Sequence, residues 1–502
     1  MSAAELIRAA PAEPCRPWPR HLLEPAGWGA MAAALGSDHS LDLIALWADT
    51  TSVHALFLDR IAGEVLPVST LVTEGAYPAL SPHRAGAAWF ERMIADLWGH
   101  AAEGGRDARP WLDHGRWGHT HPMALRHGPP AAGGPEPPEF LPSEGDDLHQ
   151  LAVGPIHAGI IEPGHFRFTA QGETIVRLET RLGYAHKGTL TLMRGKSPRA
   201  AARFAARLSG DSTVAHAIAF AHAAEAALET EAPPRARALR AVMAELERIA
   251  NHLGDAGGIC NDASFAFALA RFGLHREAVL RASGIAFGHR LMMDCVVPGG
   301  VAADIAPGGA EAVLRTLAGV ETELPDLARV YADYASLADR MIGTGTVTPV
   351  LARQFAAGGY VGRASGRDFD ARRFPGYPPY PGLGLAVPVM TEGDVDARVR
   401  VRLAEILESI RLVRALLGAL PAGDIAVPLP SASGEGIGVV EGFRGDVWHW
   451  LRLDNGLIAA AFPRDPSWAQ WPLVEAAARG IIVADFPLVN RSFNCSYSGV
   501  DL

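Results

Sequence analysis

Residues 207–220 read RLSGDSTVAHAIAF, a short polar turn running straight into an apolar, helix-like stretch, and residues 154–168 read GPIHAGIIEPGHFRF. The turn sets Ser209 and Ser212 three residues apart at the mouth of that stretch, with Asp211 between them. Asp211 and Ser212 suit a turn or a helix cap. A serine hydroxyl is a hard oxygen that stays protonated near neutral pH, so the pair is a poor grip for a soft transition ion. The far end repeats the pattern: SFNCSYSGVDL (492–502) carries Cys495 alone, followed by Ser496, Ser498 and Gly499.

These segments resemble the large subunit of nickel–iron hydrogenases, and more closely its membrane-bound, complex I-related branch. In that branch the second segment reads R-x-C-G-x-C and its two thiolates hold nickel; Ser209 and Ser212 stand at those places. Metal-holding families finish on D-P-C-x-x-C. Aligning on Ser492, Phe493, Tyr497, Ser498 and Asp501 puts Ser496 and Gly499 at the remaining ligand places, with Cys495 one residue early. The resemblance therefore implies a hydrogenase-like cavity with no metal held.

At 502 residues, with 49% hydrophobic and 20% charged, the chain is long enough for two or three domains. Its net charge of −10 removes the electrostatic case for nucleic acid. The cysteines, Cys15, Cys260, Cys295 and Cys495, form no C-x-x-C pair. That points to a reducing compartment and away from an iron–sulfur cluster held by this chain alone. No apolar run approaches the roughly 18–20 residues of a membrane helix, and MSAAELIRAAPAEPCRPWPR lacks a signal peptide's apolar core. The expectation is a cytoplasmic protein that meets a membrane only through partners.

Between residues 40 and 72, LDLIALWAD, VHALFLDR and EVLPVSTLV alternate as short strands, and WFERMIADLWGH (89–100) reads as a helix. With GGRDARPWLDHGRW (104–117), this block resembles the small hydrophilic subunit beside the quinone-module large subunit of complex I. Its E-R-x-x-x-D-L-[FW]-G motif is met by Glu91, Arg92, Asp96, Leu97, Trp98 and Gly99. Residues 118–147, with GPPAAGGPEPPE and EGDD, read as a linker in which His119, His121 and His127 are solvated. Beyond it, Pro233 and Pro234 open a helix that Gly254 and Gly257 close. Further helices fall near 263–292, 308–341 and 394–418, and VVEGFRGDVWHWLRLDNGLIAAAFP (439–463) reads as strands joined by RG and DNG turns. The fold expected is α+β: an extension (1–38), a small α/β domain (39–117), the linker (118–147), and a mainly helical hydrogenase-large-subunit-like domain with small β appendages (148–502).

In complex I the corresponding cavity binds quinone, with a loop histidine, a tyrosine and an aspartate that pairs with the histidine. By resemblance these roles fall on His157 or His165 and on Asp262. A carboxylate beside an imidazole raises its pKa and makes a proton donor for a reduced quinone. Complex I reads R-L-D-Y where this chain has Arg207, Leu208, Ser209 and Gly210, so the tyrosine hydroxyl is missing. The resemblance also places Glu162, Arg167, Glu179, His186, Arg207, Ser209, Ser212, Ser496 and Gly499 around the cavity. Glu162 and Arg167 equally suit a buried ion pair. His216, His222 and His252 read as satisfied core histidines. RRFPGYPPYPGLG (372–384) reads as an ordered loop whose aromatics could touch a quinone. GEGIG (434–438) lacks a nucleotide loop's spacing, which leaves NAD to another subunit.

The resemblance implies a redox subunit of a bacterial, membrane-associated complex I-like, energy-converting-hydrogenase-related oxidoreductase of NADH:quinone type. Its partners would be a small subunit holding an iron–sulfur cluster, antiporter-like membrane subunits and a quinone, and it would sit on the inner face of the plasma membrane. The alternative is a non-catalytic scaffold. A nickel–iron hydrogenase or formate hydrogenlyase component ranks below both, because it needs the missing thiolates.

Overall fold

The computed structural model describes residues 1–145, 147–157 and 161–502. Asp146 of the linker and residues 158–160 of the loop GPIHAGIIEPGH lie outside the described residues. The architecture is α+β. Strands β1 (Ala12–Glu13), β2 (Arg20–Leu22), β3 (Leu41–Ala48), β4 (Ser52–Asp59) and β5 (Glu64–Leu71) form one sheet in the order β1-β2-β5-β4-β3. Residues ahead of position 39 thus contribute two of its strands. Every residue of β4 is buried, because the sheet is covered on both faces. One cover is helix α1 (Ala87–Trp98), stopped by Gly99 at φ +76°. The other side meets the C-terminal part of the chain: the Trp47 ring stacks 5.6 Å from Phe462 and lies 5.6 Å from Trp450.

The polar residues of the α1 motif act as clamps. Glu91 accepts from the backbone N–H groups of Leu80 and Ser81, Arg92 donates to the carbonyls of Arg109 and Pro110, and Asp96 accepts from Trp111, Leu112 and Asp113. Backbone groups satisfy most of these buried charges, while Glu91 Oε2 and Arg92 Nη1 have no hydrogen-bond partner.

A second sheet, β6 (Leu148–Val153), β7 (His165–Gln171) and β8 (Thr174–Arg181), precedes the helical body. That body contains α2 (Thr213–Ala227), α3 (Pro234–Asp262), α4 (Ala266–Phe287), α5 (Gly309–Asp333) and α6 (Val395–Gly418). Asp394 caps α6 by accepting from Ala397 N–H at 2.8 Å. Strands β9 (Gly434–Gly442), β10 (Gly445–Asp454) and β11 (Leu457–Arg464) form an antiparallel meander, followed by α7 (Ser467–Ala477), α8 (Phe486–Phe493) and α9 (Ser498–Asp501).

Two glycine groups read differently in three dimensions. Gly254 and Gly257 do not end α3, which runs on to Asp262. They are points of close approach: a Cβ on Gly254 would lie 2.8 Å from the Arg276 side chain, and one on Gly257 would lie 3.1 Å from Phe272. In GEGIG, Cβ atoms on Gly434, Gly436 and Gly438 would lie 2.0, 2.3 and 2.1 Å from carbonyls of α2. Glycine here lets the strand lie directly on the helix backbone.

Candidate active site

The four positions matched to metal ligands do converge. Ser209 and Ser212 lie just ahead of α2, Ser496 between α8 and α9, and Gly499 in α9. Ser496 Oγ donates to Ser209 Oγ at 2.9 Å, Ser209 Oγ donates to Asp211 at 3.0 Å, and Gly499 N–H donates to Ser496 Oγ at 3.0 Å. The hydroxyls therefore close on one another.

A guanidinium lies against two of them, Ser209 and Ser212. Arg444 sits in the tight β9–β10 turn read as RG, which aims its side chain back at the serines. Its Nη1 donates to Asp211 at 2.6 Å and Ser212 Oγ at 2.9 Å, with Ser209 Oγ at 3.4 Å, and its Nη2 reaches Asp211 at 2.5 Å. Its Nε donates to the Asn494 carbonyl. Burial works to raise the Asp211 pKa, but Arg444 holds it below the usual carboxylate range. Ser212 thus accepts from Arg444 rather than capping α2 with its side chain.

At the fourth position a carboxylate takes the room of a side chain. A Cβ on Gly499 would lie 2.8 Å from Asp465 Cγ. Asp465 accepts from Ser467 N–H at 2.8 Å and lies 3.0 Å from His216 Nε2, whose Nδ1 lies 3.1 Å from His449 Nε2. His216 is a satisfied core histidine.

The donor set does not fit nickel. Hydroxyls replace thiolates, and the Arg444 guanidinium already binds two of them. Burial pushes the Cys495 thiol far up, and its Sγ lies 3.8 Å from Gln470 Oε1.

Beside this cluster opens a cleft of about 800 Å³, whose walls include Glu162, Asp211, Asp262, Arg444, Cys495 and Tyr497. Asp262 is not paired with a loop histidine, as the sequence suggested. Arg491 on α8 takes it instead, Nε to Oδ2 at 2.7 Å, because a guanidinium is the stronger partner. His157 and His165 do not line the cleft. His157 Nε2 meets the Gly164 carbonyl at 2.8 Å, while His165 packs 4.9 Å from the Phe140 ring, and burial lowers its pKa.

Glu162 reaches the cleft but does not pair with Arg167. It accepts from Tyr497 and Ser498 N–H at 3.2 Å each, and Arg167 lies 4.5 Å over Phe140. Glu179 is bound to Arg109 and Arg181, each at 3.3 Å, near the end of the linker. His186 Nδ1 meets the Asp501 carbonyl at 2.6 Å, and Arg207 forms an exposed pair with Asp294 at 2.7 Å. Tyr377 and Tyr380 are buried on Glu441 and Glu245, away from the cleft.

Sequence reasoning missed Arg444, Asp465 and Arg491, and also Glu247. The Glu247 carboxyl accepts from Val214 and Ala215 N–H at 2.7 and 3.0 Å, and burial pushes its pKa up to about 8. The only local signal was an arginine at the apex of a hairpin turn.

Known proteins place the chain. The family profile "Respiratory-chain NADH dehydrogenase, 49 Kd subunit" matches residues 264–433, and "Nickel-dependent hydrogenase" matches residues 187–254. Formate hydrogenlyase subunit 5 of Escherichia coli is 28% identical over 85% of this chain and 77% of its own. An NADH-quinone oxidoreductase subunit of Acidiphilium cryptum is 31% identical over 56% of this chain and 70% of its own. Among solved structures, a chain of the archaeal membrane-bound sulfane sulfur reductase, a respiratory membrane complex, shares the fold with a TM-score of 0.67 at 24% identity, over 71% of this chain and 99% of that one. Among the described residues no helix is long and apolar enough to cross a membrane. This chain belongs to the family that unites the complex I 49 kDa subunit with the nickel–iron hydrogenase large subunit, and its relatives are subunits of complex I-like and hydrogenase complexes.

Proposed function

We propose that the chain is the cavity-bearing subunit of a complex I-like oxidoreductase that works without nickel. It sits on the inner face of the plasma membrane beside a small subunit holding an iron–sulfur cluster and above antiporter-like membrane subunits. Electrons from NADH, oxidised on another subunit, arrive through the partner's cluster. A quinone in the cleft takes two of them with two protons.

The observation that carries this reading is Arg444 bound to Asp211, Ser209 and Ser212 at the point where the ligand positions meet. A fixed positive charge at the cleft wall stabilises negative charge growing on a reduced acceptor. With His157 and His165 turned away, Glu247 behind Asp211 is a carboxyl that burial pushes up to about 8, one source of a proton near the cleft.

A scaffold with no chemistry of its own is the second reading, favoured by the mutual hydrogen bonds of Ser209, Ser496 and Gly499. The open cleft of about 800 Å³ supports the first, since a purely structural remnant would be packed shut. Quinone-dependent NADH oxidation by the purified complex separates them. Arg444→Met is expected to lower turnover by roughly tenfold or more. Full turnover in that variant favours the scaffold.

A further inference from the structure

A second cleft, of about 350 Å³, lies between the β4–β5 hairpin and the loop after Gly366, far in sequence from the serine cluster. Four arginines line it: Arg60, Arg353, Arg367 and Arg373. Their countercharges fall short. Asp42 serves both Arg60 at 3.0 Å and Arg367 at 2.8 Å, and Asp368 serves Arg373. Arg353 has no carboxylate partner among the described residues. Asp370 also borders the cleft, but its carboxylate is bound to Arg363 at 3.3 Å and Arg372 at 2.7 Å in the core. Four guanidiniums facing Asp42 and Asp368, with Asp370 shared with the core, leave the wall positively charged on balance.

Arg367 is the fixed member of the four, bonded to the Ala357 carbonyl at 3.1 Å and to Asp42 at 2.8 Å. It is only 5% exposed, yet its buried Nε–H has no acceptor. Its guanidinium is fixed 4.4 Å over the Phe369 ring. Phe374, half-buried, adds a second aromatic wall against Gly63. The volume lies at the lower end of the range for small-molecule sites.

We propose that this cleft binds a phosphate monoester carrying a flat ring, a ligand the size of a mononucleotide. A phosphate monoester brings about −1.5 to −2 charges near pH 7, which suits a positively charged wall. Its oxygens accept from the arginine forks, and its ring lies on Phe374. The site is independent of the redox cavity and of any reaction there.

Isothermal titration of the purified full-length protein with AMP, adenosine and inorganic phosphate tests it. AMP is expected to bind at least ~10-fold tighter than either fragment. Arg353→Ala and Arg373→Ala, both at exposed positions, are each expected to weaken AMP by roughly tenfold. Phe374→Ala is expected to weaken AMP and leave phosphate binding as it was. No AMP binding, AMP binding no tighter than phosphate, or full affinity in the arginine variants overturns the assignment.

Discussion

Two arginine–carboxylate clusters in this molecule look alike on paper and differ in their access to water. At the serine cluster, Arg444 is buried but its partner Asp211 has 37% of its side chain exposed toward the cleft. In the core, Arg363 donates to Glu405 at 2.7 Å and Glu441 at 2.8 Å with every side chain sealed, and His252 bonds the other oxygen of Glu405 at 2.7 Å. Water can replace a lost partner in the first cluster and cannot in the second. The sealed cluster is therefore a condition of folding, while the open one is free to be an instrument of function.

The largest effect should come from breaking the sealed side. Arg363→Ala leaves several buried carboxylates facing one another, and a loss of about 3–5 kcal/mol in denaturant or thermal unfolding is expected. A loss below ~1 kcal/mol would erase the distinction between the clusters.

Next comes Glu247, the buried carboxyl behind the open cluster. The folded group keeps its proton up to about pH 8, whereas an unfolded glutamate loses it near about pH 4.3. The folded state binds more protons across that window, so stability falls as pH rises through it. Glu247→Gln cannot ionise, and its stability profile between about pH 5 and about pH 8 should be flatter than the wild type's by on the order of 2–4 kcal/mol. Parallel profiles would show that Glu247 is ionised in the folded protein.

On the open side the stability change should be smaller. Arg444→Met is expected to cost only about 1–2 kcal/mol, since Asp211 can be hydrated from the cleft. A cost equal to that of Arg363→Ala would mean the cleft is closed in solution. Smallest of all is Cys495→Ser. The buried thiol sits 3.8 Å from Gln470 Oε1, an acceptor a hydroxyl can also use, and a shift within about 1 kcal/mol is expected in the same unfolding assay.

What could be read from sequence follows from range. Pro234 starting α3, Asp394 capping α6 and the hairpin turns are local signals, and they are found where the residues place them. Residue chemistry at Ser209, Ser212, Ser496 and Gly499 is equally local, so the loss of soft ligands was visible. Partner choice was not. Arg444 and Asp211 lie 233 positions apart, and Arg491 displaces the histidine expected on Asp262 from 229 positions away. Gly254 and Gly257 were misread because a helix stop and a close helix–helix approach call for the same residue. The α1 motif shows the reverse case, where Glu91, Arg92 and Asp96 have buried partners that only the fold reveals.

The claim that hydroxyls bound by a guanidinium stand where thiolates would hold the metal is tested most directly by measuring nickel in the intact complex, purified from cells grown with nickel supplied. Nickel far below stoichiometry, unchanged when Arg444 is replaced by methionine, is the expected result. One nickel per chain in the wild-type protein would contradict it.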